Sequence, residues 1–242
     1  MERIDKILSS QGVCSRRDSE KLIRAGRVTL NGVKIKSGAD KCDPAKDALC
    51  VDGAPVCYRK HVYYMMNKPA GVLTATTDKK ARTVLDLLPP DVACRKGLFP
   101  AGRLDKDTTG LLILTDDGDF AHRLISPACL VPKTYRLTVD SPIPADAAAR
   151  FREGVYIDGG HLTAPATLEL LAETEAFLTI TEGKYHQVKL MMKKVGCTVT
   201  ALRRVSIGNL TLPDTLPAGA VSELSEADAL ALLGDGKMCQ NS

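Results

Sequence analysis

The chain has 242 residues, of which 44% are hydrophobic and none is tryptophan, and its formal net charge is only +4. That length is enough for one large or two ordinary domains with a sizeable core. Apolar runs reach about four residues, far below the ~18 that a membrane-spanning helix needs. The N-terminal MERIDKILSSQG is charged from its second residue and lacks the apolar segment of a signal peptide, so we expect a cytoplasmic protein.

The eight cysteines indicate reduced thiols and no metal site. They stand at positions 14, 42, 50, 57, 94, 129, 197 and 239, without any Cys-x-x-Cys pair. Structural zinc sites usually show such closely spaced pairs. We therefore expect these side chains to act as small apolar residues of a cytosolic protein.

The first 57 residues predict a small module of two helices and short strands. RIDKILSSQ, at 3–11, has the apolar spacing of a short helix. Ser15 and Asp18 form a capping-box pattern for a second helix, which Gly26 ends. An Asn-Gly pair in RVTLNGVKI predicts a tight hairpin, and ALCVDG predicts a further strand.

This N-terminal module is locally basic. Residues 1–36 contain nine Lys or Arg against four acids. Such an excess suits a phosphate backbone, although a solvated helix face would show the same composition. Charge alone leaves both interpretations open.

A polar linker at 58–61 precedes a second domain over 62–234, for which we predict an α+β fold with a mixed, largely antiparallel sheet. The strand patterns are VYYMMNK, LLILT, TYRLTV, GVYI, ATLELL, AFLTIT, TVTALRRVSI and LTL. Helices are predicted at 83–88, 119–125, 145–154, 186–196 and 226–233. The last residues, 235–242, are predicted to form a flexible tail.

Four aspartates lie in GRLDKDTTGLLILTDDG. Asp116 and Asp117 directly follow an apolar strand, which predicts turn and helix-capping roles. Asp107 precedes a Thr-Thr-Gly turn and is expected to serve that turn. Asp105, two residues after Arg103, is the candidate for chemistry, although a turn role remains open. A metal site is not favoured, because an unbroken strand separates the two aspartate pairs.

The segment GKYHQVKLMMKKVG predicts an amphipathic helix. Its buried face follows the i, i+3, i+4, i+7 pattern of Val188, Met191, Met192 and Val195. His186, Lys189 and Lys193 share a flank, from which Lys189 either meets a carboxylate of another element or faces solvent. Tyr135, at the start of TYRLTV, is either a core aromatic or a stacking surface.

The first 55 or so residues resemble the S4 RNA-binding domain, through RIDKIL, GVCSRR, LIRAGRVTLNG and VDG in that order. The resemblance implies RNA as the partner. It also implies that six polar side chains face RNA, namely Arg3, Lys6, Ser15, Arg16, Arg17 and Arg24. Basic side chains and free backbone N–H groups at helix starts can hold phosphates.

The rest of the chain resembles the pseudouridine synthases. NKPAG, GRLDKDTTGLLILTDDG, KTYRLTV, EGKYHQVKLM and LRRVSIGNLTL occur in the family's order. With an S4 domain in front, the pattern resembles the RsuA/RluB/RluE/RluF family. AHRLISP, KTY and YHQVK are closest to its RsuA type, which acts on uridine 516 of 16S ribosomal RNA.

This resemblance implies isomerisation of uridine to pseudouridine within ribosomal RNA, without a cofactor. It assigns the catalytic carboxylate to Asp105, the aromatic beside the target base to Tyr135, and the cation that pairs with the carboxylate to Lys189. Arg103 corresponds to the arginine that helps to hold the flipped-out nucleotide. Asp105 either attacks the sugar or starts glycal formation by taking the 2′ proton. We take a monomer as the default state.

Three alternatives remain at this stage. The chain could be a synthase of the same family that acts on 23S ribosomal RNA. It could be a non-catalytic S4-domain factor in ribosome assembly, with a vestigial catalytic motif. A metal-dependent nuclease is the third, and would show strand cleavage that requires divalent ions.

Overall fold

The computed structural model describes residues 1–234, so the predicted tail at 235–242 lies outside the described residues. The chain divides into two compact units, which are described separately. The first contains Met1–His61 and Leu88–Leu98, and the second contains Val62–Leu87 and the chain from Phe99 onward. Within residues 1–234, none of the helices has the length and apolar composition required to cross a membrane.

The first unit contains three helices and six short strands. Its elements are β1 (Glu2–Arg3), α1 (Ile4–Ser10), α2 (Arg16–Arg24), β2 (Val28–Leu30), β3 (Val33–Lys34), β4 (Lys41–Cys42), β5 (Leu49–Val51), β6 (Ala54–Pro55) and α3 (Pro90–Ala93). The strands β3-β2-β5-β6 form one sheet, and β1 pairs with β4. The predicted helix pair, hairpin and strand are confirmed.

Local chemistry accounts for these elements. The hydroxyl oxygen of Ser15 accepts a hydrogen bond from the backbone N–H of Asp18 and so caps α2. Asn31 and Gly32 both have positive φ, 51° and 81°, as a two-residue hairpin turn requires. Ile4, Ile7 and Leu8 of α1 pack into the core of this unit.

The inclusion of Leu88–Leu98 in the first unit was not predicted. This segment binds the chain around the predicted linker through hydrogen bonds. Arg95 donates to the carbonyl oxygens of Arg59 and Lys60, at 3.0 and 3.1 Å. Lys96 Nζ lies 3.2 Å from Ser9 Oγ. A polar segment of this kind carries no hydrophobic periodicity that would reveal its contacts.

The second unit is built on one large sheet. The strands of this sheet are β7 (Tyr63–Lys68), β8 (Phe99–Pro100), β9 (Thr109–Thr115), β10 (Lys133–Val139), β13 (Thr167–Ala172), β14 (Glu175–Ile180), β15 (Val199–Ile207), β16 (Leu210–Thr211) and β17 (Val221–Leu224). Two further strands, β11 (Tyr156–Ile157) and β12 (His161–Leu162), pair with each other as a separate antiparallel ribbon. The helices of this unit are α4 (Gly118–Ile125), α5 (Ala147–Glu153), α6 (Gln187–Lys194) and α7 (Glu226–Ala231), with short 3₁₀ turns at Leu85–Leu87, Pro127–Cys129 and Asp158–Gly160.

The sheet order is β13-β14-β10-β15-β9-β7-β17, with β16 beside β15 and β8 beside β9. The pairing of β15 with β9 is parallel, while the other pairings are antiparallel. This confirms the predicted α+β class with a mixed, largely antiparallel sheet. The register aligns four residues in one row across the four central strands: Lys68, Gly110, Arg204 and Tyr135.

One local expectation was wrong, and one edge strand was missed. The predicted helix at 83–88 is only a 3₁₀ turn, because Pro89 and Pro90 follow at once and restrict the preceding backbone. The strand β17 was missed, because VSEL has no clear period-2 alternation. It nevertheless pairs with β7 over four residues and forms one edge of the sheet.

The aspartates after β9 have the predicted structural roles. Asp117 caps α4, since its carboxylate accepts the backbone N–H of Phe120 at 3.0 Å. The same carboxylate accepts the hydroxyl of Tyr63 at 2.7 Å. Asp116 accepts the backbone N–H of Val62 at 3.0 Å. Burial and the contact with Asp117 raise the pKa of the Tyr63 phenol, so it stays a donor.

The close approach of β9 and β15 depends on Gly110. Its φ is 101°, and a Cβ there would lie 2.2 Å from the carbonyl oxygen of Arg204. We expect Gly110→Ala to lower the melting temperature by clearly more than Gly219→Ala. The latter also has a positive φ, 86°, but open space around it. Positive φ alone costs alanine about 1–2 kcal/mol. Of the two variants, only the alanine at position 110 adds a steric clash.

Thermal unfolding followed by circular dichroism measures the two variants side by side. For a chain of this length, 1 kcal/mol corresponds to roughly 2–4 °C. Equal losses for the two variants would contradict the close-approach explanation, because strain without a clash would then account for both.

Candidate active site

A lysine of α6 joins two aspartates of the turn before β9. Lys189 Nζ lies 3.2 Å from Asp105 Oδ2 and 2.7 and 2.9 Å from the two carboxylate oxygens of Asp107. The Asp105 side chain is 28% exposed and that of Asp107 is 73% exposed. The cation therefore sits between a half-enclosed and a solvent-facing carboxylate.

The charges of this trio support one another. Burial on its own would lower the pKa of Lys189, but hydrogen bonds to Asp107 and Asp105 outweigh it and raise the pKa. The hydrogen bond from Lys189 is the main cause that lowers the pKa of Asp107. Lys189 is thus held in its charged form beside Asp105. The sequence predicts a turn role for Asp107, and the structure adds a pairing of its carboxylate with Lys189.

The turn that presents Asp105 wraps around a buried ammonium group. Lys68, the last residue of β7, is fully buried. Its Nζ donates to the carbonyl oxygens of Asp105, Lys106 and Thr108, at 3.0, 3.3 and 2.9 Å, and to that of Pro69 at 3.1 Å. Burial lowers the pKa of Lys68 to about 8, although the nearby Asp107 and Asp105 oppose this shift.

Tyr135 forms an aromatic wall of the cleft, supported from within the sheet by Arg204. The guanidinium carbon of Arg204 lies 6.0 Å from the centre of the Tyr135 ring, and its Nη1 lies 3.5 Å from the hydroxyl. Arg204 Nε donates to the carbonyl oxygen of Leu111 at 2.8 Å. Cation–π attraction over a buried ring fixes the orientation of the ring.

A second polar network holds the loop that precedes α6. Gln187 is buried, donates to Glu182 Oε1 at 2.9 Å, and accepts the backbone N–H of Lys184 at 2.9 Å. Between these residues, His186 adopts a left-handed conformation with φ 49°. Its Nε2 lies 3.5 Å from Asp105 Oδ1. The network therefore brings a histidine as well as a lysine to the same carboxylate.

One cleft in the second unit brings together all four residues predicted for catalysis. It is lined by Arg103, Asp105, Tyr135 and Lys189, with Thr108, His186 and Leu202 among its other lining residues. Arg103 is exposed at the rim. Of the flank predicted on α6, His186 and Lys189 line the cleft, while Lys193 is exposed elsewhere on the helix. Val188, Met191, Met192 and Val195 are buried, as predicted.

The six predicted RNA-facing residues of the first unit occupy different local settings. Arg3 pairs with Asp5 at 2.8 Å, Lys6 lies 3.6 Å from Glu2, and Arg24 lies 3.8 Å from Glu20. Ser15 is committed to capping α2. Arg16 and Arg17, in the first turn of α2, are exposed. These two arginines are therefore the ones most readily offered to a phosphate.

Three buried residues that support the cleft of the second unit were not singled out from the sequence: Lys68, Gln187 and Arg204. Lys68 is a charged residue at the end of a fully buried strand, and that interruption is the signal that could have revealed it. A charged residue is rarely buried unless it is paired or hydrogen-bonded. Lys68 and Arg204, however, bind backbone carbonyls far along the chain, which the local sequence does not show.

Metal ligation is not offered by the residues described. Over positions 1–234, no group of three or more His, Cys, Asp or Glu side chains is arranged to hold a metal ion. Asp105 and Asp107 are both turned to Lys189, so a cation already occupies the space that a divalent ion would take.

A carboxylate paired with lysine can act as a nucleophile on a sugar, and an aromatic wall beside it can stack a flat ring. The basic N-terminal helix pair points to RNA as the larger substrate. Together, the fold and the cleft define an RNA-modifying enzyme.

Comparison with known proteins identifies the class further. Residues 62–194 match the RNA pseudouridylate synthase family, and residues 2–47 match the S4 domain. The chain belongs to the RNA pseudouridylate synthase family and carries an S4 domain, which confirms both resemblances found in the sequence. A crystal structure of a pseudouridylate synthase is similar over 96% of this chain and 100% of that chain, at a TM-score of 0.67 and 34% identity.

Curated relatives are similar along nearly their whole length. An uncharacterised RNA pseudouridine synthase of Bacillus subtilis, YtzG, is 46% identical, over 93% of this chain and 96% of the relative. Proteins called ribosomal small subunit pseudouridine synthase A, from Vibrio cholerae and Escherichia coli, are 42% and 40% identical. These alignments cover 95% and 96% of this chain, and 99% and 100% of the relatives.

The role of Lys68 can be tested by removing its charge. We expect Lys68→Met to lower kcat/KM for pseudouridine formation by roughly 100-fold, because a shift of about 1 Å in a reacting group has that effect. Lys133→Met is the matched control. Lys133 is also a buried lysine of the sheet, but its Nζ donates to the carbonyl of Val131, away from the turn.

Steady-state kinetics on the same RNA compares the two variants, with circular dichroism to verify folding. The control should lose much less activity. An equal loss in both variants would show that Lys68 contributes only general stability.

Proposed function

We propose that this chain converts a uridine of small-subunit ribosomal RNA to pseudouridine, with Asp105 as the group that acts on the ribose. The observation that carries the proposal is Asp105 held 3.2 Å from Lys189 in a cleft walled by Tyr135. Proteins over 40% identical along nearly their full length are called small-subunit synthases, which supports the choice of RNA.

The reaction moves the bond between the uracil and the ribose from N1 to C5 of the base, and the atomic composition of the nucleotide does not change. The N1–C1′ bond breaks, the uracil turns, C5 bonds to C1′, and the proton on C5 is replaced by one on N1. A carboxylate can drive the first step by attacking C1′, as retaining glycosidases do. It can also take the 2′ proton and form a glycal. Both routes require Asp105 to be ionised, and Lys189 stabilises that charge.

The other cleft residues contact the detached uracil and the nucleotide from which it came. Tyr135 supplies a flat wall that keeps the free uracil beside the sugar, and Arg204 behind it fixes the ring. Arg103, exposed at the rim, is positioned to hold the nucleotide outside its stack. Extrusion of a base costs a few kcal/mol, which a contact at the rim can offset. The proposed reaction needs no cofactor.

RNA binding is assigned to the S4 domain. We propose that residues 1–57 form this domain, 58–61 the linker and 62–234 the catalytic domain. Arg16 and Arg17 are its leading phosphate contacts, since both are exposed at the start of α2, where backbone N–H groups also favour anions. Arg3, Lys6, Ser15 and Arg24 complete the proposed surface, after exchange of their internal partners for phosphates.

The finer assignment is uridine 516 of 16S ribosomal RNA, in a cytoplasmic enzyme that works as a monomer. It rests on the motif spelling and on the similarity to small-subunit synthases.

The role of Asp105 is tested against its neighbour in the same turn. We expect Asp105→Asn to lower kcat by roughly 10³-fold or more, as loss of a reacting group does. Asp107→Asn removes an equal charge beside the same lysine. It should lower kcat by less than about tenfold, because the Asp107 carboxylate is solvent-exposed. Both variants should bind the RNA with an unchanged Kd. A turnover assay on a 16S transcript measures this pair. An active Asp105→Asn, or an equally inactive Asp107→Asn, would contradict the assignment.

The substrate is tested by mapping pseudouridine in 16S and 23S ribosomal RNA from cells with and without this gene. We expect one 16S site to be lost, to return with the wild-type gene, and to stay absent with Asp105→Asn. Loss at a 23S site would overturn the small-subunit assignment while keeping the enzyme. An unchanged map would contradict ribosomal RNA as the substrate and favour the RNA-binding alternative.

A further inference from the structure

An exposed tyrosine beside the cleft has no role in the scheme above. Tyr185 is 75% exposed, although tyrosine side chains usually bury much of their ring. Its ring stacks on that of His186, with centroids 3.8 Å apart and an interplanar angle of 19°. One face of Tyr185 is therefore covered by the imidazole, while most of the ring is open to solvent.

This stacked pair is adjacent to the reacting carboxylate. His186 Nε2 lies 3.5 Å from Asp105 Oδ1, and both residues line the cleft. The order outward from the carboxylate is Asp105, the imidazole of His186 and then the phenol ring of Tyr185. A flat group on the open face of Tyr185 would thus lie one ring beyond a residue that already contacts Asp105.

The platform is held rigidly rather than carried on a loose loop. The left-handed backbone of His186 costs energy that its surroundings must offset. Gln187 does this by binding Glu182 and the backbone N–H of Lys184, both at 2.9 Å. Glu182 is in turn fixed by the backbone N–H of Ala164 at 2.9 Å and by His161 at 3.1 Å. A surface fixed before binding loses less entropy when a ligand docks.

We propose that the Tyr185–His186 pair is a stacking platform for the nucleobase next to the target uridine. This inference rests on the proposed function and assigns a second base position to the same site. Single-stranded bases bind aromatic rings through their flat faces, whatever the base. Lys184 lines the same cleft and supplies a cation for the adjoining phosphate. A neighbouring base stacked here holds the strand open while the target uridine occupies the cleft.

The test pairs removal of the ring with removal of the base. Three forms of a 16S RNA fragment are prepared: intact, abasic on the 5′ side of the target uridine, and abasic on its 3′ side. With intact RNA, Tyr185→Ala should lower kcat/KM by about 10- to 100-fold, whereas Tyr185→Phe should stay near wild type. Tyr156→Ala is the matched control, because Tyr156 is also an exposed tyrosine of this unit but belongs to β11 rather than to the loop before α6.

Coupling between the two changes distinguishes stacking from a structural role. On one of the abasic RNAs, the kcat/KM of the wild type should fall by the factor that Tyr185→Ala loses on intact RNA. On that abasic RNA, Tyr185→Ala should show no further loss of kcat/KM. A Tyr185→Ala loss of equal size on all three RNAs would overturn the platform, as would no loss on the intact RNA.

Binding to the same three RNAs separates failure of this inference from failure of the proposed function. Kd measurements need no turnover, and the same pattern of losses is expected in Kd. If the Kd values follow this pattern but the wild type forms no pseudouridine, the proposed reaction is contradicted and the platform is retained. A wild type that turns over, with Kd and kcat/KM insensitive to Tyr185→Ala, would retain the reaction and overturn the platform.

Discussion

The buried ammonium of Lys68 is the interaction on which the catalytic arrangement depends. It lies inside the sheet, and its hydrogen-bond partners among residues 1–234 are four backbone carbonyls that surround its three N–H groups. Three of these carbonyls belong to the turn Asp105–Thr108, so the turn must close around the ammonium. The position of the Asp105 side chain follows from that closure. The carboxylate that we propose for catalysis is thereby fixed by the rigid β7 strand rather than by a loop.

The sheet register extends this constraint across the site. One row across four neighbouring strands contains Lys68, Gly110, Arg204 and Tyr135. The register of the sheet therefore sets the position of the turn at Asp105 relative to the ring of Tyr135. Gly110 permits the carbonyl of Arg204 to come close, which sets the separation of β9 and β15. From the other side, α6 places Lys189 opposite Asp105. The cleft is therefore formed by parts of the chain that are distant in sequence.

This distance explains how much of the structure could be predicted from sequence. The helix pair, the hairpin at Asn31 and Gly32 and the caps at Ser15 and Asp117 depend on neighbouring residues, and the structure confirms them. Family resemblance identified the turn at Asp105 and its lysine partner. The buried contacts of Lys68 and Arg204, and the pairing of Asp107 with Lys189, depend on residues far along the chain. Local patterns contain no information on such partners.

The most direct test of this account is a structure of Asp105→Asn bound to an RNA hairpin that contains uridine 516 of 16S ribosomal RNA. The account predicts the target uridine outside its stack, with its ribose about 3–3.5 Å from the amide at position 105. Its uracil should lie against Tyr135. A target uridine that remains stacked in the RNA, or whose ribose faces another part of the second unit, would contradict the assignment of Asp105 and of the cleft.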